Sequence, residues 1–165
     1  MFGKVASSLR TFSLVKGLPV YEQETGKMLG KVSDLCFTNT GKIEGLIMEG
    51  KKFFERRRYI PMLAITAIGT DGVIVASSSA IKHVNLSEQS YSLYTHRGIA
   101  GKPVITSKGE KLGLLDDVYF HEHLGTIEGY EITEGFFADV TEGKKRIQTV
   151  PIIVGEEAII VNTIV

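Results

Sequence analysis

The sequence of 165 residues has a single cysteine and no long apolar run, so it has few of the features that form covalent cross-links or cross a membrane. Its single cysteine excludes an intrachain disulfide and a cysteine-cluster zinc site. No apolar run approaches the ~18 residues of a membrane-spanning helix, and the first residues lack the apolar stretch of an export signal. We therefore expect a cytoplasmic protein without a membrane-inserted segment.

An excess of charge of one sign is also missing, because 19 Lys and Arg residues balance 19 Asp and Glu residues. This balance argues against a protein that coats nucleic acid or anionic lipid with positive charge. The sequence motifs of a nucleophilic serine, a phosphate-binding loop and a dinucleotide site are absent as well. With 43% apolar residues the chain can form a globular core. We expect a protein that is not an enzyme and that holds no cofactor or metal.

What the sequence does contain is an internal repeat, whose blocks between residues 17 and 45 return at an offset of 83 or 84 residues and whose later blocks return after small gaps. Six blocks recur in the same order. They include a Gly-x-Pro-Val block, a Gly-x-x-x-Gly block and a Gly-x-Ile-Glu-Gly block. In this comparison Asp34 matches Asp117, and Ile60-Pro61 is matched with Val150-Pro151.

The repeat divides the chain into unit one (1–80), a polar, Ser-rich linker (81–96) and unit two (97–165). A unit of this size is marginally stable by itself, so we expect the two units to pack on each other or on a second chain. Residues 1–82 carry 12 basic and 7 acidic residues, and 83–165 carry 7 basic and 12 acidic residues. This opposition is either drift after a duplication or a pair of fields that orients the units or steers head-to-tail contacts between chains.

Short runs of Val, Ile, Phe and Tyr between Gly, Pro, Asn and Asp residues predict strands throughout. Beside Asp34 and Asp117 the apolar residues leave alternate spacing, which predicts a β-bulge in each unit. Gly30 and Gly113 stand where a strand must curve or approach another backbone closely. Residues 62–65 fit a single helical turn, and no segment keeps helical periodicity over three turns. The predicted class is all-β, with two tandem small barrels of about six strands each and short helical turns.

The order of the motifs in each unit resembles the PRC-barrel family. That family takes its name from the H subunit of the photosynthetic reaction centre, and the pattern is also similar to the C-terminal domain of the ribosome maturation factor RimM. The resemblance implies a six-stranded barrel that binds protein or RNA partners and has no catalytic centre. The chain departs from the H subunit because it has no transmembrane helix. It departs from RimM because a second PRC-like unit replaces a different N-terminal domain.

Two sets of polar residues could carry chemistry. Asp34 and Asp117 could be metal or acid–base carboxylates, or they could accept backbone N–H bonds at the predicted bulges, which we favour. His121 and His123 alternate onto one strand face and could chelate a metal. No third ligand is evident beside them, and unit one has no histidine at the matching place. We therefore interpret the two histidines as surface turn residues.

The densest basic stretch in the sequence is our candidate partner surface. Arginine forks suit phosphate or carboxylate groups, and exposed Phe rings can stack on bases. The alternative is a solvated strand at a sheet edge, whose charges prevent aggregation. Unit two has a basic run, 144–146, at the matching place, which favours that structural reason. The residues that we propose for the surface are Phe53, Phe54, Arg56, Arg57 and Arg58.

Two remaining features have structural interpretations. Cys36 lies in an apolar strand between Leu35 and Phe37, which indicates a buried, inert thiol. Phe136 and Phe137 are typical of core or inter-unit contacts. The sequence as a whole predicts an interaction or adaptor protein with a protein partner, with self-association left open. The alternative is an RNA- or ribosome-associated factor that binds through the basic first unit.

Overall fold

The computed structural model of the protein describes residues 9–52, 55–121, 125–148 and 151–162, without the side chains of 136–138. Strands dominate both units, which confirms the all-β prediction. Short turns of 3-10 helix span Phe12–Leu14, Met62–Ala64 and Ser78–Ala80. The strands of unit one and the linker are β1 (Leu9–Thr11), β2 (Pro19–Glu22), β3 (Met28–Thr38), β4 (Ile43–Gly50), β5 (Arg58–Pro61), β6 (Ile65–Ile68), β7 (Val73–Val75), β8 (Lys82–His83) and β9 (Ser90–Ser92).

Unit two repeats this sequence of strands and adds one short α-helix. Its elements are β10 (Pro103–Thr106), β11 (Lys111–His121), β12 (Thr126–Thr133), α1 (Phe136–Glu142), β13 (Lys145–Gln148), β14 (Ile152–Val154) and β15 (Ile159–Val161). The helix was not predicted from the sequence.

The two sheets have the same strand order within the described residues. The first runs β6-β7-β2-β3-β4-β5, and the second runs β14-β15-β10-β11-β12-β13. Each of these six-stranded sheets contains one parallel pairing, between the strand that comes first along the chain and the strand that comes last. These pairs are β2 with β7 and β10 with β15. The matching pairs are otherwise antiparallel. Each unit therefore contributes six strands to a strongly curved sheet, as predicted.

Bulges curve the long strands β3 and β11 at equivalent places. The register shifts between Val32 and Asp34 in unit one, and between Leu115 and Asp117 in unit two. Both shifts confirm the predicted bulges, which bend a strand and raise its twist. Near the start of β3, the backbone also comes very close to β4. A Cβ added at Gly30 would collide with the Glu49 carbonyl oxygen, so this position requires glycine.

The two units exchange short strands with each other. The N-terminal arm (9–16) leaves its own barrel, and β1 pairs with the second half of β11 in unit two. In return, β9 at the end of the linker pairs with the second half of β3 in unit one. Each barrel is thus completed by a strand that precedes the other unit along the chain.

A pair of reciprocal hydrogen bonds marks the centre of this exchange. The backbone N–H of Ile43 donates to the Gly125 carbonyl at 2.8 Å, and that of Ile127 donates to the Gly41 carbonyl at 2.7 Å. The four residues stand at matching places in the two units, so the contact has the form of a two-fold interface between like surfaces. Buried apolar side chains of both units form one continuous cluster, which includes Phe12, Leu93 and Ile99.

Structure also revises two details of the repeat. Pro61 pairs with Gly45, and the residue that pairs with the equivalent Gly129 is Gln148. The match of Ile60-Pro61 with Val150-Pro151 is therefore wrong, because Pro151 stands directly before β14 instead of ending β13. The linker, whose sequence shows no strand alternation, contributes two short strands, since β8 pairs with β5 and β9 pairs with β3.

Candidate interaction surface

The arginine run of unit one lies on the outside of the first barrel. Arg56 and Arg57 lead into β5, which begins at Arg58, and all three side chains are exposed. Strand β5 is not the outermost strand here, because β8 of the linker pairs with it and places His83 opposite Arg58. Phe53 and Phe54, which we also predicted for this surface, lie outside the described residues.

A cleft of about 810 Å³ opens beside these arginines. We call it the basic cleft, and its floor reaches the buried side chain of Ile47 on β4. The linker supplies about half of its walls. The lining residues are Ile47, Glu55, Arg56, Arg57, His83, Val84, Thr95 and His96.

A second cleft of about 580 Å³ adjoins the first and shares Glu55, Arg56 and His83 with it. It adds more cations, at Lys51, Lys52 and Arg58 among others, together with a set of apolar side chains. The apolar lining residues are Met28, Leu29, Met48 and Ile81. The surface therefore combines a cationic rim with apolar patches, which is a chemistry suited to a mixed acidic and apolar ligand.

The three arginines of this surface form no ion pair with any described residue. Within the part of the chain that the structure describes, no carboxylate lies within ion-pair distance of Arg56, Arg57 or Arg58. In unit two, Asp116, Glu131 and Glu134 bind the cations of the basic run. The residues of unit one at the matching positions are neutral. Ser33 stands at the bulge, Ile47 on β4 and Gly50 at its end. Among the described residues, Glu55 is the acidic residue that lines the two clefts, and it forms no ion pair with Arg56, Arg57 or Arg58.

Unit two places its own basic run on the matching strand and neutralises each cation. Lys144 binds Asp116 at 2.5 Å, and Lys145 binds Glu134 at 2.7 Å. Arg146 binds Glu131 at 3.0 Å. The hydrogen bond that Lys144 donates to Asp116 raises the pKa of Lys144. The two equivalent strands are therefore both basic in sequence, but among the described residues the cations are paired in unit two and unpaired in unit one.

Asp34 is fully buried at the seam between the units. Its carboxylate accepts the backbone N–H of Leu35 at 2.8 Å, as predicted for a bulge. It also accepts the N–H groups of Leu93 at 3.0 Å and Thr95 at 2.9 Å, and the Thr95 hydroxyl at 2.7 Å. The favoured structural interpretation is supported. The sequence did not show that this carboxylate binds the segment leading into the other unit.

Asp117 makes the corresponding contact in the opposite direction. It accepts the N–H of its neighbour Val118 at 2.8 Å and that of Ser13, in the N-terminal arm, at 3.2 Å. Each aspartate therefore holds the arm that precedes the other unit. Asp34 receives more donors than Asp117, so the two contacts differ in strength although they are equivalent in position.

The other candidate residues are not brought together. His121 ends β11, and His123 lies outside the described residues. No group of three His, Cys, Asp or Glu side chains in the described ranges is arranged to hold a metal ion. Phe136 begins α1, and the side chains of Phe136 and Phe137 are not described. Cys36 is buried, as predicted, and burial raises the pKa of its thiol to about 12.

Comparison with known proteins now identifies the repeated unit. Residues 10–81 and 94–165 each match the PRC-barrel domain. The chain belongs to the PRC-barrel family. The uncharacterized protein YrrD of Bacillus subtilis (strain 168) is 35% identical over 144 residues, which cover 87% of this chain and 81% of that protein. The chain is thus a tandem pair of PRC-barrel units, as the resemblance implied.

Two aspects of the PRC-barrel pair were not visible in the sequence. The linker lines the basic cleft through residues that carry no motif, such as Thr95 and His96. The arm exchange joins segments far apart in the chain, and short polar stretches give no periodic signal for such pairing. Among the described helices, none has the length and apolar character needed to cross a membrane.

Proposed function

We propose that this protein is a non-enzymatic, cytoplasmic interaction protein whose basic cleft binds an acidic segment of a protein partner. The observation that carries the proposal is the contrast between the two basic strands. In unit two the cations of 144–146 are paired within the chain, whereas Arg56, Arg57 and Arg58 have no described carboxylate within ion-pair distance. Exposed, unpaired arginines are suited to bidentate binding of carboxylates supplied by a partner.

The lining of the clefts favours a peptide over a nucleic acid. Apolar groups such as Ile47 and Val84 lie between the cations, and they match a segment that alternates acidic and apolar side chains. Single-stranded nucleic acid is bound through stacking on aromatic rings along a basic groove. Phe53 and Phe54, the two rings of this stretch that could stack on bases, lie outside the described residues.

Peptide binding can be measured directly with defined probes. Fluorescence anisotropy would compare a short peptide that alternates Glu and Leu, a matched peptide of Lys and Leu, and single-stranded RNA of mixed sequence. We expect the acidic peptide to bind, and the double variant Arg56→Ala/Arg57→Ala to bind it about tenfold more weakly. The double variant Lys144→Ala/Lys145→Ala is the matched control, and its affinity should stay within about twofold of the unmodified protein.

Two results would contradict the proposal. Equal losses in the two double variants would mean that the contrast between the strands has no bearing on binding. Preferential binding of the RNA, weakened steeply by salt and by Arg56→Ala and Arg58→Ala, would replace the peptide with the RNA-associated alternative.

A further inference from the structure

The two walls of the basic cleft come from different parts of the chain. Arg56 and Arg57 belong to the barrel of unit one, where they lead into β5. Thr95 and His96 belong to the end of the linker, just before unit two. Their separation is therefore set by how the linker end is held against unit one, and not by the barrel alone.

A single buried carboxylate holds that linker end. Asp34 on β3 accepts hydrogen bonds from three consecutive backbone N–H groups, those of Leu93, Tyr94 and Thr95, at 3.0, 3.2 and 2.9 Å. The Thr95 hydroxyl adds a fourth donor at 2.7 Å. Charge-assisted bonds from several converging donors fix both the position and the direction of this turn.

Ser92 adds a second tie within the same turn. Its hydroxyl oxygen accepts the backbone N–H of Thr95 at 3.0 Å and that of His96 at 2.7 Å. Ser92 is fully buried and does not line the cleft. The two wall residues of the linker are thus both held from behind, by groups that a ligand in the cleft would not touch.

The other side of this turn is part of the contact between the units. The ammonium group of Lys16 lies 3.9 Å from the centre of the Tyr94 ring, and the Phe12 ring is 6.3 Å from it. Both residues belong to the N-terminal arm, whose β1 pairs with unit two. Seam and cleft therefore share one turn of the backbone, residues 93–96.

We propose that Asp34 is a positioning residue that couples the docking of the two units to the basic cleft. When Asp34 holds the turn, the linker residues Thr95 and His96 line the cleft together with Arg56 and Arg57, so a ligand in the cleft favours the docked turn. By linkage, loosening of the turn at 93–96 weakens the ligand by the same factor, whereas loosening of the N-terminal arm at Ser13 leaves the bonds of Asp34 to this turn in place. This proposal rests on the proposed peptide-binding function and adds a means by which unit two controls a site on unit one.

The pseudo-two-fold repeat provides a matched control. Asp117 holds the N-terminal arm at Ser13 from the equivalent bulge, but neither residue lines the basic cleft. We would measure the affinity for the Glu and Leu peptide in Asp34→Asn, Asp117→Asn and Ser92→Ala, together with amide hydrogen exchange at residues 93–96. All variants are compared well below their unfolding temperatures.

Asp34→Asn should weaken the peptide about tenfold, and Ser92→Ala should weaken it severalfold, while Asp117→Asn should change affinity less than about twofold. Amide hydrogen exchange at residues 93–96 should become faster in Asp34→Asn and Ser92→Ala, but not in Asp117→Asn. Ser92→Ala keeps the test valid if Asp34→Asn does not fold. A purely structural role for Asp34 would lower stability in both aspartate variants without separating their affinities.

Two outcomes would overturn the coupling. Equal affinities for Asp34→Asn and Asp117→Asn, with the unmodified protein binding normally, would leave the proposed function standing and remove this inference. If the unmodified protein binds no peptide, the proposed function fails. Unchanged exchange at 93–96 in Asp34→Asn would then show separately that the carboxylate does not set the cleft wall.

Discussion

Each unit places a basic strand beside the equivalent neighbour, β5 beside β4 in unit one and β13 beside β12 in unit two. Among the described residues, the charges of this strand are paired in unit two and unpaired in unit one. Arg146 on β13 stands opposite Glu131, which binds it. The equivalent pair in unit one is Tyr59 opposite Ile47. Backbone features such as bulges and close approaches recur in both units, whereas the side chains that carry surface charge have diverged. Positions required by the barrel are shared, and positions free of that requirement are where function can differ.

The glycines of the Gly-x-Ile-Glu-Gly block make the same point. A Cβ at Gly45 would meet the Tyr59 ring of β5, and one at Gly129 would meet the Tyr119 hydroxyl of β11. The two tyrosines occupy different strands, and Cys36 stands at the unit-one equivalent of Tyr119. Both units cover the backbone of this glycine with an aromatic ring, but they supply the ring from different strands.

The largest effect is expected at a glycine that lies against the neighbouring strand's backbone at equivalent places in the two units. Gly30→Ala and Gly113→Ala would each force a Cβ into a carbonyl oxygen of the neighbouring strand, and we expect a loss of about 3 kcal/mol or more of unfolding free energy in each. Gly113 also has a φ of +144°, so its variant should be the less stable of the two. Urea denaturation would measure both.

Gly69→Ala is the control for these variants, because its Cβ would meet only the Gly72 carbonyl at 3.4 Å. A loss in Gly69→Ala as large as in Gly30→Ala would show that close approach is not the reason for glycine.

The next largest effect should separate the two seam aspartates. Asp34→Ala leaves the buried N–H group of Leu93 without an acceptor and removes the bonds that Tyr94 N–H and the Thr95 hydroxyl donate, and we expect a cost of about 3 kcal/mol. Asp117→Ala removes one hydrogen bond between the units, which the backbone N–H of Ser13 in the N-terminal arm donates. This variant should lose about 1–2 kcal/mol of unfolding free energy. Thermal or urea unfolding of both variants would measure the difference, and equal costs would contradict the unequal donor sets.

A third comparison uses the buried thiol that unit two lacks. The folded-state pKa of Cys36, about 12, lies above its usual value of 9.0 because burial disfavours the thiolate. The neutral thiol's contribution to stability is therefore complete below pH 9.0 and is lost as pH rises toward 12. Urea midpoints measured from neutral to alkaline pH should fall more steeply for the unmodified protein than for Cys36→Ala. Parallel curves would contradict this expectation.

The smallest effect concerns the surface charges. Lys144→Ala and Lys145→Ala should each cost at most about 0.5 kcal/mol, because exposed ion pairs contribute little. Arg57→Ala, which breaks no described ion pair, should leave stability unchanged within error. Chemical denaturation at low and high salt would measure both, and the small loss in unit two should disappear at high salt. A larger loss in Arg57→Ala would reverse the comparison.

Much of the fold could be predicted because its requirements are local. The bulges beside Asp34 and Asp117 interrupt the alternation of apolar and polar residues along the strand, so they can be recognised from the sequence. The exchange of short strands between the units produces no periodic pattern in the sequence. The pairing of the linker with β3 and the roles of Thr95 and His96 therefore could not be predicted. The basic run was visible as a candidate surface. Its unpaired state depends on three neutral residues of other strands, and only the register shows that they are its neighbours.

The exchanged arms also bear on how the chain assembles. Ser13 must find Asp117, 104 residues further along, so the first barrel and its arm emerge during synthesis long before the arm has a docking strand. Long-range contacts of this kind form late and slowly. Until then, the free arm of one molecule could dock on the finished second barrel of another, which makes crowded, newly made chains prone to trade arms and form linked dimers.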